Sequence, residues 1–293
     1  MSEIVSASVA ATALIAATAV LAPDVEISPF CVIAEDAVLG QGTVLGVGCV
    51  IGAGARIGQG CQLGSYVTVG EGALLGAQVQ VGDHTTIYPG TVLEEGCFTG
   101  SNASLGRAPR PAATSTVKVQ ADLPPLKMGA GCTVGCSAVL YAGTSYGAKV
   151  LVGDGAMVRE RCTIGNNVII GSGVAVENDT RIGDFTKIQT GSYITAYMEI
   201  AERVFIAPMV TTTNDNFMGR TEKRFKLIKG ATIGRGARVG GATILLPGVK
   251  VAPETFVAAG ALVTKDTSQG KVMKGFPARE VRDVPEEELL PEE

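Results

Sequence analysis

Aliphatic residues recur along this chain at every sixth position. From Val9 onward, Ile15, Leu21, Ile27, Ile33, Leu39, Leu45, Ile51, Ile57, Leu63, Val69, Leu75, Val81, Ile87 and Leu93 hold the beat without an exception. The next residue is glycine at eight consecutive repeats, from Gly40 to Gly82. Four places after each aliphatic stands a small residue or Val, as at Ala37, Thr43, Cys49 and Ala55. The frame fails after Leu105, restarts at Met128 and runs to Ile206. A third frame then carries Ile233 to Val263. Two insertions, residues 107–127 and 213–226, separate the three frames.

A period of six matches neither an amphipathic helix nor a simple alternating strand. It matches a triangular coil with three short strands per turn, six residues to each, the aliphatic and the small residue pointing inward. Such turns stack as parallel sheet about 4.8 Å apart, so roughly twelve of them make a prism about 55–60 Å long. Each turn buries its faces only on its neighbours, which predicts a solenoid with ends that need covering. The predicted fold class is therefore all-β: a parallel β-helix over residues 1–280, two inserted loops, and a short acidic C-terminal tail at 281–293. That tail is expected to cap the open sheet edge. The apolar run Ala7–Pro23 has the look of a secretory leader, but MSEIVS before it contains no Lys or Arg. Ile15 and Leu21 already keep the beat, so the run reads as the first turns of the repeat. It is also too short and Ala-rich to span a bilayer.

Composition narrows the picture. With 39 Gly, no Trp and 5% aromatics, the interior must be narrow and lined by small residues. A net charge of −4 gives no basic face for nucleic acid. Seven Cys and one His supply neither a zinc cluster nor a disulfide framework. Cys31, Cys49, Cys61, Cys97, Cys132 and Cys162 fall on the small inward position, and Cys136 falls outside it. With the thiols read as free and the apolar start read as repeat, a reducing cytoplasm is the expected setting.

The repeats VLGQGT, RIGQGC and VIIGSGV resemble those of the hexapeptide-repeat acyltransferase superfamily, over about residues 9–280. The resemblance implies a left-handed helix, a homotrimer with active sites between prisms, and acetyl-CoA or another acyl-CoA as co-substrate, with no metal required. In members that make lipid A, a His-Asp pair precedes a Cys-Thr-Val-Gly turn. VRERCTIG puts Glu160 and Arg161 at that place, before Cys162. TNDNFMGR resembles the Asn-Asp motif of N-acetyltransferases that modify amino sugars on nucleotide carriers: Asn214 and Asp215 match it, and Arg220 stands for its arginine. The closing KGFPARE resembles the superfamily's terminal Gly-X-Pro-Ala signature.

These matches coincide with chemistry that the residues can perform. An amine attacking a thioester must lose a proton, which Glu160 or Asp215 can accept if partial burial raises its pKa. Asn214 can orient the amine or steady the oxyanion. Asn214 and Glu160 are three turns of eighteen apart and should share one edge of the prism, about 14 Å apart. His84, facing outward, is a further candidate base. The insertions are locally basic, +3 for Arg107, Arg110, Lys118 and Lys127 against Asp122, and +2 for Arg220, Lys223, Arg224 and Lys226 against Asp215 and Glu222. Long loops on a solenoid are binding elements. Asn216, Arg220, Lys223, Arg224, Arg107 and Arg110 are accordingly the expected substrate contacts. Gly241, Ala242, Ala259 and Gly260 leave backbone accessible to a pantetheine chain, and Lys265, Lys271, Lys274 and Arg279 can meet phosphate.

The expected function is acyl-CoA-dependent N-acylation, with acetylation of an amino group on a nucleotide-linked sugar first. Transfer of a longer acyl chain to a UDP-amino sugar, acetylation of an amino acid derivative, and a non-catalytic scaffold are the alternatives. A carbonic anhydrase of this fold needs three histidine ligands, and the chain has one His.

Overall fold

The computed structural model describes residues 8–115 and 122–291. They form two compact units, Met1–Val150 and Leu151–Glu293. Each is a β-solenoid of parallel strands.

Among the described residues of the first unit, twenty-one strands, three to a turn, make seven turns, the first described being Ser8–Val9, Leu14–Ile15 and Val20–Leu21. Register is in steps of eighteen: Gln62 faces Gln80, and Leu63 faces Val81. Nearly all strands are two residues long, far shorter than the six-residue segments the period suggests. The remaining four residues of a repeat form a corner, where one residue takes a left-handed φ, such as Gly54 at 63° or His84 at 58°. A residue there cannot continue an extended strand. The glycines after the aliphatics have a different task. A Cβ on Gly58 would lie 2.6 Å from the carbonyl carbon of Gly76 in the next turn, so only a bare Cα permits that stacking distance.

The aliphatic spine is buried from Ile27 onward, and the small residue two places before each aliphatic is buried with it. Thr and Cys share that small position for a common reason. Thr43 Oγ1 donates to Gly58 O at 3.1 Å, Cys49 Sγ to Gly64 O at 3.0 Å, and Thr85 Oγ1 to Gly100 O at 2.9 Å. Each satisfies a corner carbonyl that would otherwise be buried unpaired. The six inward cysteines are buried and Cys136 is exposed. Burial pushes the Cys49 thiol up to about 11, so that thiol is a packing group, not a nucleophile.

The second unit repeats the pattern from Leu151–Val152, Met157–Val158 and Thr163–Ile164. Both insertions are visible as register jumps. Leu93 faces Met128 and Ile200 faces Ile233, in place of partners eighteen residues on. In each unit the loop leaves after a strand of the second sheet, Ser104–Arg107 in the first and Thr211–Thr212 in the second. Lys118, counted in the first loop's charge, lies outside the described residues. The second loop contains one helical turn, Arg224–Leu227, and its base is closed by Lys229 N donating to Asn214 O at 3.0 Å. It therefore extends past Lys226. At the C-terminus Lys271–Gly275 adds in parallel to Phe256–Val257, and Ala278–Asp283 folds back antiparallel on it. The expected tail thus begins inside a strand. Arg238 Nη1 anchors the segment beyond that strand through Glu288 at 2.7 Å. Among the described residues, no helix is long and apolar enough to cross a membrane.

Candidate functional site

One corner of the second unit, where the second sheet hands over to the third, carries charge in place of the usual small residues. Four successive turns contribute Arg159–Glu160–Arg161, Glu177–Asn178–Asp179, Thr195–Ala196–Tyr197 and Thr213–Asn214–Asp215. The turns are bonded through the corner: Asp179 N donates to Glu160 O at 3.2 Å, Tyr197 N to Asn178 O at 3.2 Å, and Asn214 Nδ2 to Ala196 O at 3.4 Å. Glu160 and Asn214 therefore belong to one corner column.

Glu160 does not point outward. Its side chain is 0% exposed, and both its oxygens are taken by Arg159, Nε to Oε2 at 3.1 Å and Nη2 to Oε1 at 3.0 Å. Arg161 Nη1 stands 3.9 Å away on its other side. A carboxylate buried this completely survives only because it is paired twice over. No atom of it reaches a ligand, so its action is through Arg159. The remaining nitrogen of that guanidinium, Nη1, donates to Glu177 Oε2 at 3.2 Å. Burial works against the charge of Arg159, but Glu160 and Glu177 outweigh it and hold the group protonated.

Arg161 grips Asp179 with two bonds, Nε to Oδ1 at 2.8 Å and Nη2 to Oδ2 at 2.7 Å, and Asn178 Nδ2 donates to the same carboxylate at 2.5 Å. Burial raises the Asp179 pKa, yet these donors prevail and hold it below the usual carboxylate range. Glu177 and Asp179, 18% and 29% exposed, are thus fixed carboxylates that reach solvent. Two half-exposed tyrosines, Tyr193 and Tyr197, flank them one turn on. Burial, then the charge of Glu177, pushes the Tyr193 hydroxyl up, keeping it a donor.

The loop above is organised by Asp215. Its carboxylate accepts Phe217 N at 2.8 Å, Gly219 N at 2.9 Å and Arg224 Nε at 2.9 Å. The two backbone donors and then Arg224 hold it below the usual range, so it shapes the loop as a fixed anion. Arg224 also covers the Phe225 ring at 5.0 Å. Asn216, Arg220 and Lys223 are exposed.

The other expected contacts lie elsewhere. Ala259 and Gly260 are exposed at a different corner, with open space around the Gly260 Cα, and Ala242 stands one turn below at φ 54°. A Cβ on Gly241 would meet Pro208 O at 3.3 Å, and Gly260 N donates to Gly241 O at 2.8 Å. Lys274 and Arg279 face one another across the C-terminal hairpin, a like-charged pair that an anion would relieve. Lys271 is paired with Asp283, and Lys265 is exposed. In the first unit His84 is exposed and stacks on Tyr66, centroids 5.1 Å apart at 9°. Arg107 there covers the Tyr141 ring at 5.6 Å, and Arg110 is exposed.

Glu177, Asp179, Tyr193 and Tyr197 escape a reading based on broken rhythm, because each keeps the frame. The available signal is the eighteen-residue offset that pairs Arg159 with Glu177 and Arg161 with Asp179.

Known proteins resemble this chain in sequence and in fold. Residues 147–178 match the bacterial transferase hexapeptide (six repeats), and residues 4–102 match the GMPPB C-terminal domain. A curated Saccharomyces cerevisiae protein described as a "putative acetyltransferase" is 30% identical over 96 residues, 32% of this chain and 49% of its own. The chain therefore spans about half the length of that relative. Among solved structures, a UDP-N-acetylglucosamine acyltransferase from Francisella novicida aligns over 94% of this chain and 69% of its own, at 17% identity and a TM-score of 0.40. A GDP-perosamine N-acetyl transferase from Caulobacter crescentus, in complex with CoA and GDP-perosamine, aligns over 48% and 70%, at 22% identity and a TM-score of 0.39. The segment that matches the hexapeptide repeat includes Arg159, Glu160 and Glu177, and it is wound as part of a parallel β-solenoid.

Proposed function

We propose that the chain is an acyl-CoA-dependent acyltransferase acting at the Glu177–Asp179 corner, and that its acceptor is the amino group of a nucleotide-linked sugar. One observation carries this reading. Two solvent-reaching carboxylates are each clamped by an arginine of the turn below, at the corner where a basic loop leaves the solenoid. The hexapeptide-transferase match over this segment and the acetyltransferase description of the yeast relative support the same reaction class.

The residues divide the work. Asp179, kept ionised by Arg161, holds the incoming neutral amine by accepting one of its N–H hydrogens. Glu177, bonded to a single arginine nitrogen, takes the proton that the amine releases as it attacks. The N–C bond forms, the C–S bond of the thioester breaks, and the proton passes from Glu177 to the departing thiolate. Tyr193 donates toward the developing oxyanion. Glu160 and Arg159 are positioning residues, and Asp215 and Asn214 set the loop whose Arg220 and Lys223 meet the acceptor's phosphates. Acyl-CoA fits the exposed small-residue corner at Ala242, Ala259 and Gly260, with Lys274 and Arg279 on its phosphates. Assembly into a homotrimer and a reducing, cytoplasmic setting complete the proposal. Incubation with acetyl-CoA and a panel of amino-sugar nucleotides, following thiol release, should show turnover that Glu177→Gln removes. Silence across the panel, or full activity of the variant, would overturn it.

A further inference from the structure

The first sheet of the second unit has an outer face where cations and rings alternate. Lys187, Phe205, Arg238 and Phe256 are successive register partners there. The corner leading into this sheet adds Phe185 and Arg203, one per turn, at φ 59° and 57°. Together with Asn167 and Val204, Phe185, Lys187, Arg203 and Phe205 line an open depression of about 330 Å³.

None of the residues that line it is a carboxylate. Asp184 is engaged by Asn166, through N at 2.7 Å and Nδ2 at 3.1 Å, and Glu202 by Arg235 Nε at 3.1 Å. Glu254 lies 4.0 Å from Arg235, and Glu288 is taken by Arg238. Among the described residues Lys187 and Arg203 have no ion-pair partner. Arg203 instead lies 4.8 Å above the Phe185 ring, which fixes its planar fork facing outward. Phe185 and Phe205 are 45% and 40% exposed, offering bare ring surface beside two uncompensated cations.

A ligand that answers this surface carries a flat unsaturated ring and a short run of negative charge. Its volume is that of a small molecule, since such sites begin at about 300 Å³. A polyanion is disfavoured by the chain's net charge of −4. We propose that the depression binds a nucleoside diphosphate, with the base on Phe205 and the phosphates between Lys187 and Arg203. None of the residues assigned to the acyl-transfer corner takes part, so nucleotide binding is testable without turnover, and only its source bears on where coenzyme A lies. The same chemistry is offered by free nucleotides, by a nucleotide-linked sugar and by the adenosine diphosphate portion of coenzyme A.

Calorimetry on the full chain, without acyl donor, separates these. ADP and UDP should bind saturably, and Lys187→Ala with Arg203→Asn should weaken them at least tenfold, about the loss expected for charge-assisted bonds. Asn tolerates the left-handed φ at this position, and thermal melting checks that the double variant is folded. Phe205→Leu should weaken ADP several-fold and leave pyrophosphate unchanged, because only the base meets the ring. Displacement of ADP by coenzyme A would name the co-substrate as the source. Failure to displace would name a separate nucleotide or nucleotide sugar. The absence of saturable ADP and UDP heat, or binding that the folded double variant retains in full, would overturn the proposal.

Discussion

The corner that follows the second sheet is built differently in the two units. In the first, its left-handed position is glycine in three successive turns, Gly54, Gly72 and Gly90, after Asp36 in an earlier one. In the second, the corresponding position is Arg161, Asp179 and Tyr197, at φ 60°, 57° and 66°. Glycine enters that conformation without penalty, whereas an ordinary side chain costs about 1–2 kcal/mol. Three consecutive departures therefore forgo several kcal/mol of easy stability. What the second unit gains is a pair of fixed carboxylates with tyrosines beside them. Left-handed side chains also recur in the first unit, at Tyr66, His84 and Asn102, so what sets this corner apart is the charged groups it presents and their arginine partners.

The largest effect expected of any single change comes from this contrast. Glu177→Gln keeps the shape and the Arg159 contact but removes the proton acceptor, so acyl transfer should fall by about 10²–10⁴-fold. Melting should stay near wild type, since the side chain is partly solvated. Turnover of the purified variant checks the first half and calorimetry the second. A loss of turnover accompanied by unfolding would make the corner merely structural and dissolve the contrast between the units.

Glu160→Ala probes the layer beneath. It strips Arg159 of its buried carboxylate while the Glu177 bond stays, and a buried pair broken on one side costs about 3–5 kcal/mol. Arg159 is 24% exposed, so solvent offsets part of that, and about 2–3 kcal/mol is expected from the urea midpoint. The matched change in the first unit, Glu71→Ala before Gly72, should cost little, because Glu71 is exposed.

The fold was legible because each inward residue marks itself. Val, Ile or Leu at every sixth place, with Thr or Cys two residues before many of them, encodes three sheets without reference to distant segments. The site was legible only where it broke rhythm, at Asn214–Asp215 and at the Glu-Arg pair before Cys162. Even there the sequence hid the orientation. Glu160 looks like an outward corner residue in one dimension and turns inward because Arg159 and Arg161 close over it. Glu177 and Asp179 occupy frame-keeping positions and acquire meaning only through partners eighteen residues away. Asp215 has the look of a reacting group, but its local amides at Phe217 and Gly219 claim it for the loop.

Acid should distinguish the two corners as well. The folded pKa of Asp179 is depressed, so its ionised form favours the native state. That contribution is complete above about pH 4, the ordinary carboxylate value, and is lost as pH falls through the lower folded value. Melting temperatures taken from neutral pH downward should drop more steeply for the wild type than for Asp179→Asn below that point. Equal slopes would show that Arg161 contributes nothing to stability through this pair. A smaller change is expected from the loop. Arg220→Ala with Lys223→Ala should raise KM for a nucleotide-linked acceptor several-fold and leave kcat within about twofold, the pattern of lost uniform binding.

The smallest effect should come from His84, and it sharpens the comparison from the other side. Its imidazole lies nearly parallel to the Tyr66 ring, and a Cβ on Gly48 would meet that same ring at 2.7 Å. The three residues are one per turn, so the histidine continues an edge column of stacked side chains. The adjacent Asp83 carboxylate accepts Ser65 N at 2.6 Å and so is engaged by the turn below, not by the imidazole. His84→Asn keeps the left-handed φ accessible and removes only the stack, a change of about 0.5–1 kcal/mol. Turnover should remain within about twofold, the scale of an exposed substitution away from the reacting groups. A hundredfold fall at unchanged melting would move the proton transfer into the first unit and reverse the assignment, because the glycine-cornered solenoid would then be the one that carries the chemistry.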